Sequence, residues 1–242
     1  MMRRFLPVAA IAAATLLSAA AAAAPPGDGG GFNFRAGGYF PSGDSDFWDA
    51  NEAAFTLDKS DFNGLMGGVG YTASITNYFE FDVNADFYAA SARSADRQFT
   101  DQFGNPILHD TRLSIVPVTV GFRVLPAGRY ARRGPEGKHY VRRPVPYFGG
   151  GIGMAYWQYE EEGDFVASDL SIVYDRLKDS GLEFEKHANI GIEFPVAPEW
   201  NITFEIRRSW VDATPGGEFA TVNPGKLDLG GAAVFLGASM RF

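Results

Sequence analysis

The segment Phe79-Glu80-Phe81-Asp82-Val83-Asn84-Ala85-Asp86-Phe87 sets an apolar residue at every odd position and a polar or charged one at every even position. Successive side chains of an extended strand point to opposite faces, so one face is oily throughout and the other carries three carboxylates and an amide. Such a strand belongs at the boundary between an apolar and a polar phase. The pattern returns in Ile202-Thr203-Phe204-Glu205-Ile206-Arg207 and in Ala188-Asn189-Ile190-Gly191-Ile192-Glu193-Phe194. At the C-terminus Val234, Leu236, Ala238, Met240 and Phe242 share one face, opposite Ser239 and Arg241. Val116, Val118, Val120, Phe122 and Val124 make another apolar face, and Phe32, Phe34, Ala36 and Phe40 a weaker one. Two glycine-rich strands, near Asn63 to Ala73 and Pro146 to Tyr159, have faces that the pattern leaves open. No window of helical periodicity competes, so the expected class is all-β.

The connections separate a soluble barrel from a membrane barrel. With eight strands, the segments Pro41–Asp61, Ala90–Asp110, Glu160–Gly181 and Val211–Lys226 are long and polar, whereas Ser74–Asn77 and Pro195–Glu199 are short. Long loops at one end and tight turns at the other predict a closed antiparallel up-and-down transmembrane barrel with both ends on the periplasmic side. A lipocalin-type soluble barrel hides its apolar face inside and needs no four long loops at one end. Trp200 and Trp210 bracket one strand on its apolar face. The ten residue steps between them give roughly 33 Å of strand at about 3.3 Å each. Tilted by about 40°, that strand spans roughly 25 Å, the height of a lipid-facing band between aromatic girdles. Both tryptophans are therefore expected at the lipid interface.

The first 24 residues read as a cleaved signal peptide: Arg3 and Arg4, an apolar stretch from Phe5 to Leu17, then small-residue cleavage sites from Ser18 to Ala24. Residues 25–31 are expected as a short periplasmic linker and 32–242 as the barrel. Removing two of the 21 basic residues and none of the 29 acidic ones leaves a mature charge of 19 − 29 = −10. That balance argues against a nucleic-acid ligand held by a basic face. The absence of cysteine excludes disulfides, thiolate metal sites, cysteine catalysis and a lipoprotein anchor.

On these residues the chain resembles the small outer-membrane β-barrel proteins of the OmpA-transmembrane, OmpX and OmpW type, over roughly Phe32 to Phe242. The most specific element is the last strand. In this family a terminal aromatic, an apolar residue two before it and a glycine three before that form the signal read by the barrel-assembly machinery. Here they are Phe242, Met240 and Gly237, with Phe235 where the family usually has a polar residue. Phe34-Arg35-Ala36-Gly37-Gly38-Tyr39-Phe40-Pro41 and Pro146-Tyr147-Phe148-Gly149-Gly150-Gly151-Ile152-Gly153 are similar to family stretches as well. The resemblance implies a Gram-negative outer-membrane location and a structural, surface-interaction or porin-like role.

The polar faces direct Glu80, Asp82, Asp86, Glu185, His187, Asn189, Glu193 and Glu205 inward, beside Arg35, Arg123, Arg207 and Arg241. An eight-stranded barrel is only wide enough for its own side chains, so a packed polar network is expected and an open pore is the alternative. No catalytic residue, cofactor or metal is expected. His187-Ala188-Asn189 has Asn189 where the His-x-Ser of lipid A deacylase barrels has its nucleophile, and His187 is read as an interior histidine facing Arg207. His109 falls in a loop and His139 in a basic turn. Gly68-Val69-Gly70-Tyr71-Thr72-Ala73 copies a dinucleotide fingerprint but lacks the following helix. Asp44, Asp46 and Asp49 lack the glycine and distal glutamate of a calcium loop. The connection after the fourth strand carries Arg129, Arg132, Arg133, Lys138, Arg142 and Arg143 against Glu136 alone. It reads as a solvated insertion, or as a contact for anionic phospholipid heads or a periplasmic polymer. If the turn Pro195–Glu199 pairs Phe194 with Trp200, Lys186 faces Arg208 on the lipid side, where a lipopolysaccharide phosphate would relieve their repulsion. Outer-membrane lipids and lipopolysaccharide are the expected partners.

Overall fold

The computed structural model describes residues 29–132, 138–140, 143–167, 169–216, 219 and 225–242. The expected export signal lies outside them. Eight antiparallel strands make the wall: β1 (Gly30–Pro41), β2 (Gly64–Ser74), β3 (Phe79–Thr100), β4 (Pro106–Val124), β5 (Val145–Val166), β6 (Ile172–Pro195), β7 (Trp200–Trp210) and β8 (Gly231–Arg241). Each pairs with its sequence neighbours, and β1 pairs with β8, closing the barrel. β1 begins two residues ahead of the expected boundary at Phe32.

The alternation explains the closure. Phe34, Val120, Phe122, Phe148, Ile190, Ile202, Phe204, Leu236 and Phe242 lie exposed on the outer face, with Trp200 and Trp210 at the two ends of β7. Lipid is the phase that accepts such a belt, and closure leaves no unpaired strand edge inside it. The glycine-rich strands now have definite faces. β2 turns Met66, Gly68, Gly70 and Thr72 inward, and β5 turns Tyr147, Gly149, Gly151 and Gly153 inward. A Cβ on Gly151 would fall 2.8 Å from His187 Cε1 and 2.9 Å from Gly121 Cα. Glycine at this position is what lets lumen side chains fill the space.

Two expected loops are not loops. β3 and β4 run through most of Ala90–Asp110, and β5 and β6 through most of Glu160–Gly181. These four strands rise above the lipid belt as a half-wall over the shorter β7, β8, β1 and β2. Beyond Lys186, which pairs with Trp210, the upper part of β6 has no ladder partner on its β7 side among the described residues. The amphipathicity inverts on the way up. On β5 the inward column changes from Gly149, Gly151 and Gly153 to Ala155, Trp157 and Tyr159, while the outward column changes from Ile152 and Met154 to Gln158, Glu160 and Glu162. The outer face of the half-wall carries ion pairs: Arg93–Asp110 at 2.9 Å, Arg112–Glu160 at 3.0 Å and Arg176–Glu160 at 2.8 Å.

The apolar inner face of the half-wall is covered by the β1–β2 connection, which holds a helix that periodicity did not foretell, α1 (Asp46–Ala54). Phe47 and Trp48 of α1 are fully buried, in a cluster with Tyr39, Leu57, Phe62, Tyr88, Leu113, Trp157, Tyr159 and Phe219. Asp46 and Asp49 stay exposed in the first turn of α1, where carboxylates complement the helix dipole.

Candidate functional site

Among the described residues, buried charged side chains converge in the lumen, in two layers. The periplasmic layer centres on Glu80 and Glu193, each about 1% exposed. Arg129 donates from Nη1 to Glu193 Oε2 at 2.8 Å and grips both oxygens of Glu80, at 2.5 Å from Nε and 2.8 Å from Nη2. Arg241 reaches the same two carboxylates, at 3.1 Å to Glu80 and 3.0 Å to Glu193. Ser74 Oγ donates to Glu80 at 3.2 Å. The second layer lies above. Arg35 clamps Asp86 bidentately at 2.7 and 2.6 Å and donates to Asn84 at 3.0 Å. Arg207 bridges Asp86 at 3.0 Å and Glu205 at 2.9 Å, and Tyr147 donates to Glu205 at 2.8 Å. Arg123 donates to Asp82 at 3.1 Å and stacks over the Tyr147 ring at 4.7 Å, linking the layers through Glu193 at 3.7 Å. Arg35 and Arg207 both lie over the Phe235 ring, at 5.1 and 5.6 Å. Phe235, which departs from the family's polar preference, thus supplies the π-face on which two cations rest.

All twelve residues read from the sequence as lumen-facing stand on inward positions, but they are not equally connected. Glu185 has an oxygen without a hydrogen-bond partner, and neither ring nitrogen of His187 has one among the described residues. Asn189 donates to Glu205 at 3.3 Å. Arg129 is the member that sequence reasoning missed. It sits in an irregular connection with no periodicity, and is buried because its main-chain N–H bonds to Asn77 O at 2.9 Å and Oδ1 at 3.0 Å under the β2–β3 turn. Its only sequence signal was position, as the first cation after a barrel strand.

The turn between β6 and β7 corrects the expected register. Pro195 pairs with Asn201, and Val196 N–H donates to Trp200 O at 2.9 Å, so the turn is residues 196–199. Every pair moves by two. Lys186 faces Trp210, Arg208 faces Ala188, and the expected Lys186–Arg208 opposition does not form, although both keep the outer face. His187 faces Ser209 instead of Arg207. His109 is not in a loop: it is buried on the inner face of β4, with its ring centroid 4.6 Å from both Phe55 and Phe165.

Above the ion pairs comes a cavity of about 10 Å³ lined by Tyr39, Met66, Ile115, Glu185 and Arg207. That is room for about one water molecule. Above it the α1 plug closes the mouth. Asn51 of α1 donates to Tyr159 Oη at 3.0 Å, and Tyr159 donates to Glu161 at 2.7 Å. Glu161 stands on the half-wall above the lipid belt, where burial pushes its pKa up to about 7. Trp48 Nε1 donates to Asp228 O at 2.9 Å, tying the plug to the β7–β8 connection.

No curated protein matches the sequence. OprG from Pseudomonas aeruginosa is similar in structure with a TM-score of 0.51 at 13% identity, covering 88% of this chain and 96% of OprG. The E. coli outer membrane protein W aligns at TM-score 0.39 and 16% identity, over 88% of this chain and 98% of its own. Ail of Yersinia pestis aligns at 0.41 and 14%, over 89% and 99%. The family whose description is "outer membrane protein beta-barrel domain" matches residues 9–242. With that match over nearly the whole length, and a closed eight-stranded wall with an apolar belt, the chain belongs to the outer membrane protein β-barrel domain family of the bacterial outer membrane.

Proposed function

We propose that the chain is a non-enzymatic outer-membrane barrel whose work is to stabilise the envelope and present an extracellular surface. The observation that carries this reading is that the lumen is closed twice, by two stacked layers in which five arginines pair with five carboxylates and by the α1 plug above them. Charges buried this way fill and fix the lumen; their desolvation cost makes them poor net stabilisers, so a specifying role fits better than added strength. Planar-bilayer conductance and solute uptake into proteoliposomes test the reading. Baseline conductance with a heat-modifiable, folded gel band is expected, and steady conductance refutes it.

Passage of small or apolar solutes is the second reading. It is favoured by the apolar upper lumen, where Tyr39, Met66, Tyr88 and Ile115 lie beneath the plug. Catalysis has less support. The register sets Ser209 opposite His187, but Ser209 Oγ bonds to Gly231 O at 3.4 Å, and the adjoining cavity of about 10 Å³ has no room for an acyl chain. The reading also assigns Gly237, Met240 and Phe242 as the assembly signal, and lipopolysaccharide as a neighbour that Lys186 and Arg208 meet separately near the rim.

A further inference from the structure

The charges of the lumen do not balance. Each of its five arginines is spent on Glu80, Asp82, Asp86, Glu193 or Glu205. Glu185 is the sixth carboxylate, 3% exposed, and joins none of the salt bridges among the described residues. One of its oxygens is buried without a hydrogen-bond partner. With His187 neutral, the packed lumen holds one negative charge in excess. A buried carboxylate is costly unless it is paired, so a sixth positive charge belongs beside Glu185.

Glu185 stands at a boundary. It opposes Gly153 of β5 and lies one residue above Lys186, where the ladder to β7 ends. On one side of it Met66 and Ile115 begin the apolar upper lumen, and on the other Asp86 and Arg207 belong to the ion pairs. All of them line the cavity of about 10 Å³, together with Tyr39 and Ser209. The two hydroxyls have given their protons away: Tyr39 Oη donates to Leu229 O at 2.7 Å and Ser209 Oγ to Gly231 O at 3.4 Å. What either oxygen still offers is lone pairs. Arg207, the cation of this lining, is already balanced by Asp86 at 3.0 Å and Glu205 at 2.9 Å. A closed space of about one water's size, with spare lone pairs beside an unbalanced carboxylate, suits a small cation.

We propose that this cavity is a binding site for one dehydrated monovalent cation of potassium size, held by Glu185 with Tyr39 and Ser209. A divalent ion overshoots the deficit by one charge. His187 is a poorer source of that charge, because it is the diagonal neighbour of Arg207 across the β6–β7 ladder and its protonation would set two cations side by side. The ion is a resident and not a passenger, since the ion-pair layers lie between it and the periplasm.

The test unfolds the full-length protein with urea in phosphatidylcholine vesicles, at about pH 8, where a carboxyl is ordinarily ionised. Potassium is raised from about 10 to about 200 mM, and tetramethylammonium, too bulky for the cavity, keeps the ionic strength constant. An ion bound only by the folded state multiplies the folding constant by one plus its concentration over its dissociation constant, so a gain of about three- to twentyfold is expected. Glu185→Gln, which keeps the shape and removes the charge, is expected to show no gain, and Ser209→Ala a reduced one. A heat-modifiable band shows that each variant folds. No gain in the wild type, or the wild-type gain in Glu185→Gln, overturns the proposal; if Glu185→Gln does not fold, an undiminished gain in Ser209→Ala does so. A wild type indifferent to potassium, but stabilised from about pH 8 to about pH 5 in a way that Glu185→Gln loses, overturns it too, since the sixth charge is then a proton.

Discussion

Replacing Arg129 by glutamine examines whether a residue outside the strands seals the barrel. In the native lumen its guanidinium makes three charge-assisted bonds, to both oxygens of Glu80 and to Glu193, and both acceptors are about 1% exposed. Removing it leaves five paired carboxylates facing four arginines. Breaking a buried pair from one side costs about 3–5 kcal/mol, because the partner charge is left uncompensated. Arg241 still contacts both glutamates at 3.0–3.1 Å, which sets the expectation at the lower end, about 3 kcal/mol. Urea unfolding of protein refolded into phospholipid vesicles, followed by gel mobility, measures the loss. Glu193→Gln in the same background closes a double-mutant cycle, and a coupling of about 1–3 kcal/mol is expected for groups in direct contact. A loss below about 1 kcal/mol, with no coupling, refutes the lumen role of Arg129.

Glu161→Gln addresses the plug. Buried under α1, Glu161 has a pKa raised from 4.5 to about 7, so the closed plug binds a proton that the released plug gives up. Closure is then strongest below about pH 4.5 and weakens up to about pH 7, by at most about 3 kcal/mol at 1.36 kcal/mol per pH unit. The chain lacks cysteine, so thiol labelling of a Leu57→Cys probe reports opening. The ratio of labelling with Glu161 retained to labelling in the Glu161→Gln background is expected to rise across that window, and a flat ratio sinks the idea. Replacing residues 44–57 by a flexible linker is expected to leave bilayer conductance at baseline, because the ion-pair layer lies beneath; a conducting variant would show that this layer does not seal. Gly151→Val pushes a side chain against His187 and the β4 backbone and is expected to cost about 1–3 kcal/mol in the same unfolding assay.

The lipid-spanning part of the wall was legible because oil lies outside and charge inside, and period two records that contrast directly. Phe79 to Phe87 and Ile202 to Arg207 needed nothing more. The upper half-wall was hidden by its inversion. From Ala155 to Glu162 the inward residues become apolar and the outward ones charged, so a strand that crosses the membrane surface changes phase midway and reads as a polar loop. The β6–β7 register was missed by two because a hydrophobic pattern fixes only parity; the choice between two even registers belongs to the turn, and Val196–Trp200 hydrogen bonding decided it. α1 was invisible because its nine residues carry one short apolar patch, Phe47 and Trp48, in an acidic setting. Aromatics inside a polar connection were the available signal.

The unpartnered flank of β6 has a consequence for life in a crowded membrane. Asp175 accepts the main-chain N–H of Arg176, and Asp179 that of Ser180, each at 2.7 Å. In a bilayer, neighbours diffuse in two dimensions and all stand upright at the same height, so exposed amides on adjacent copies would meet in register far more often than in solution. Two of these donors are tied down by carboxylates, and Asp179 also holds the main-chain N–H of Gly216 at 2.6 Å, so this edge offers a neighbouring strand fewer free amides than its length suggests.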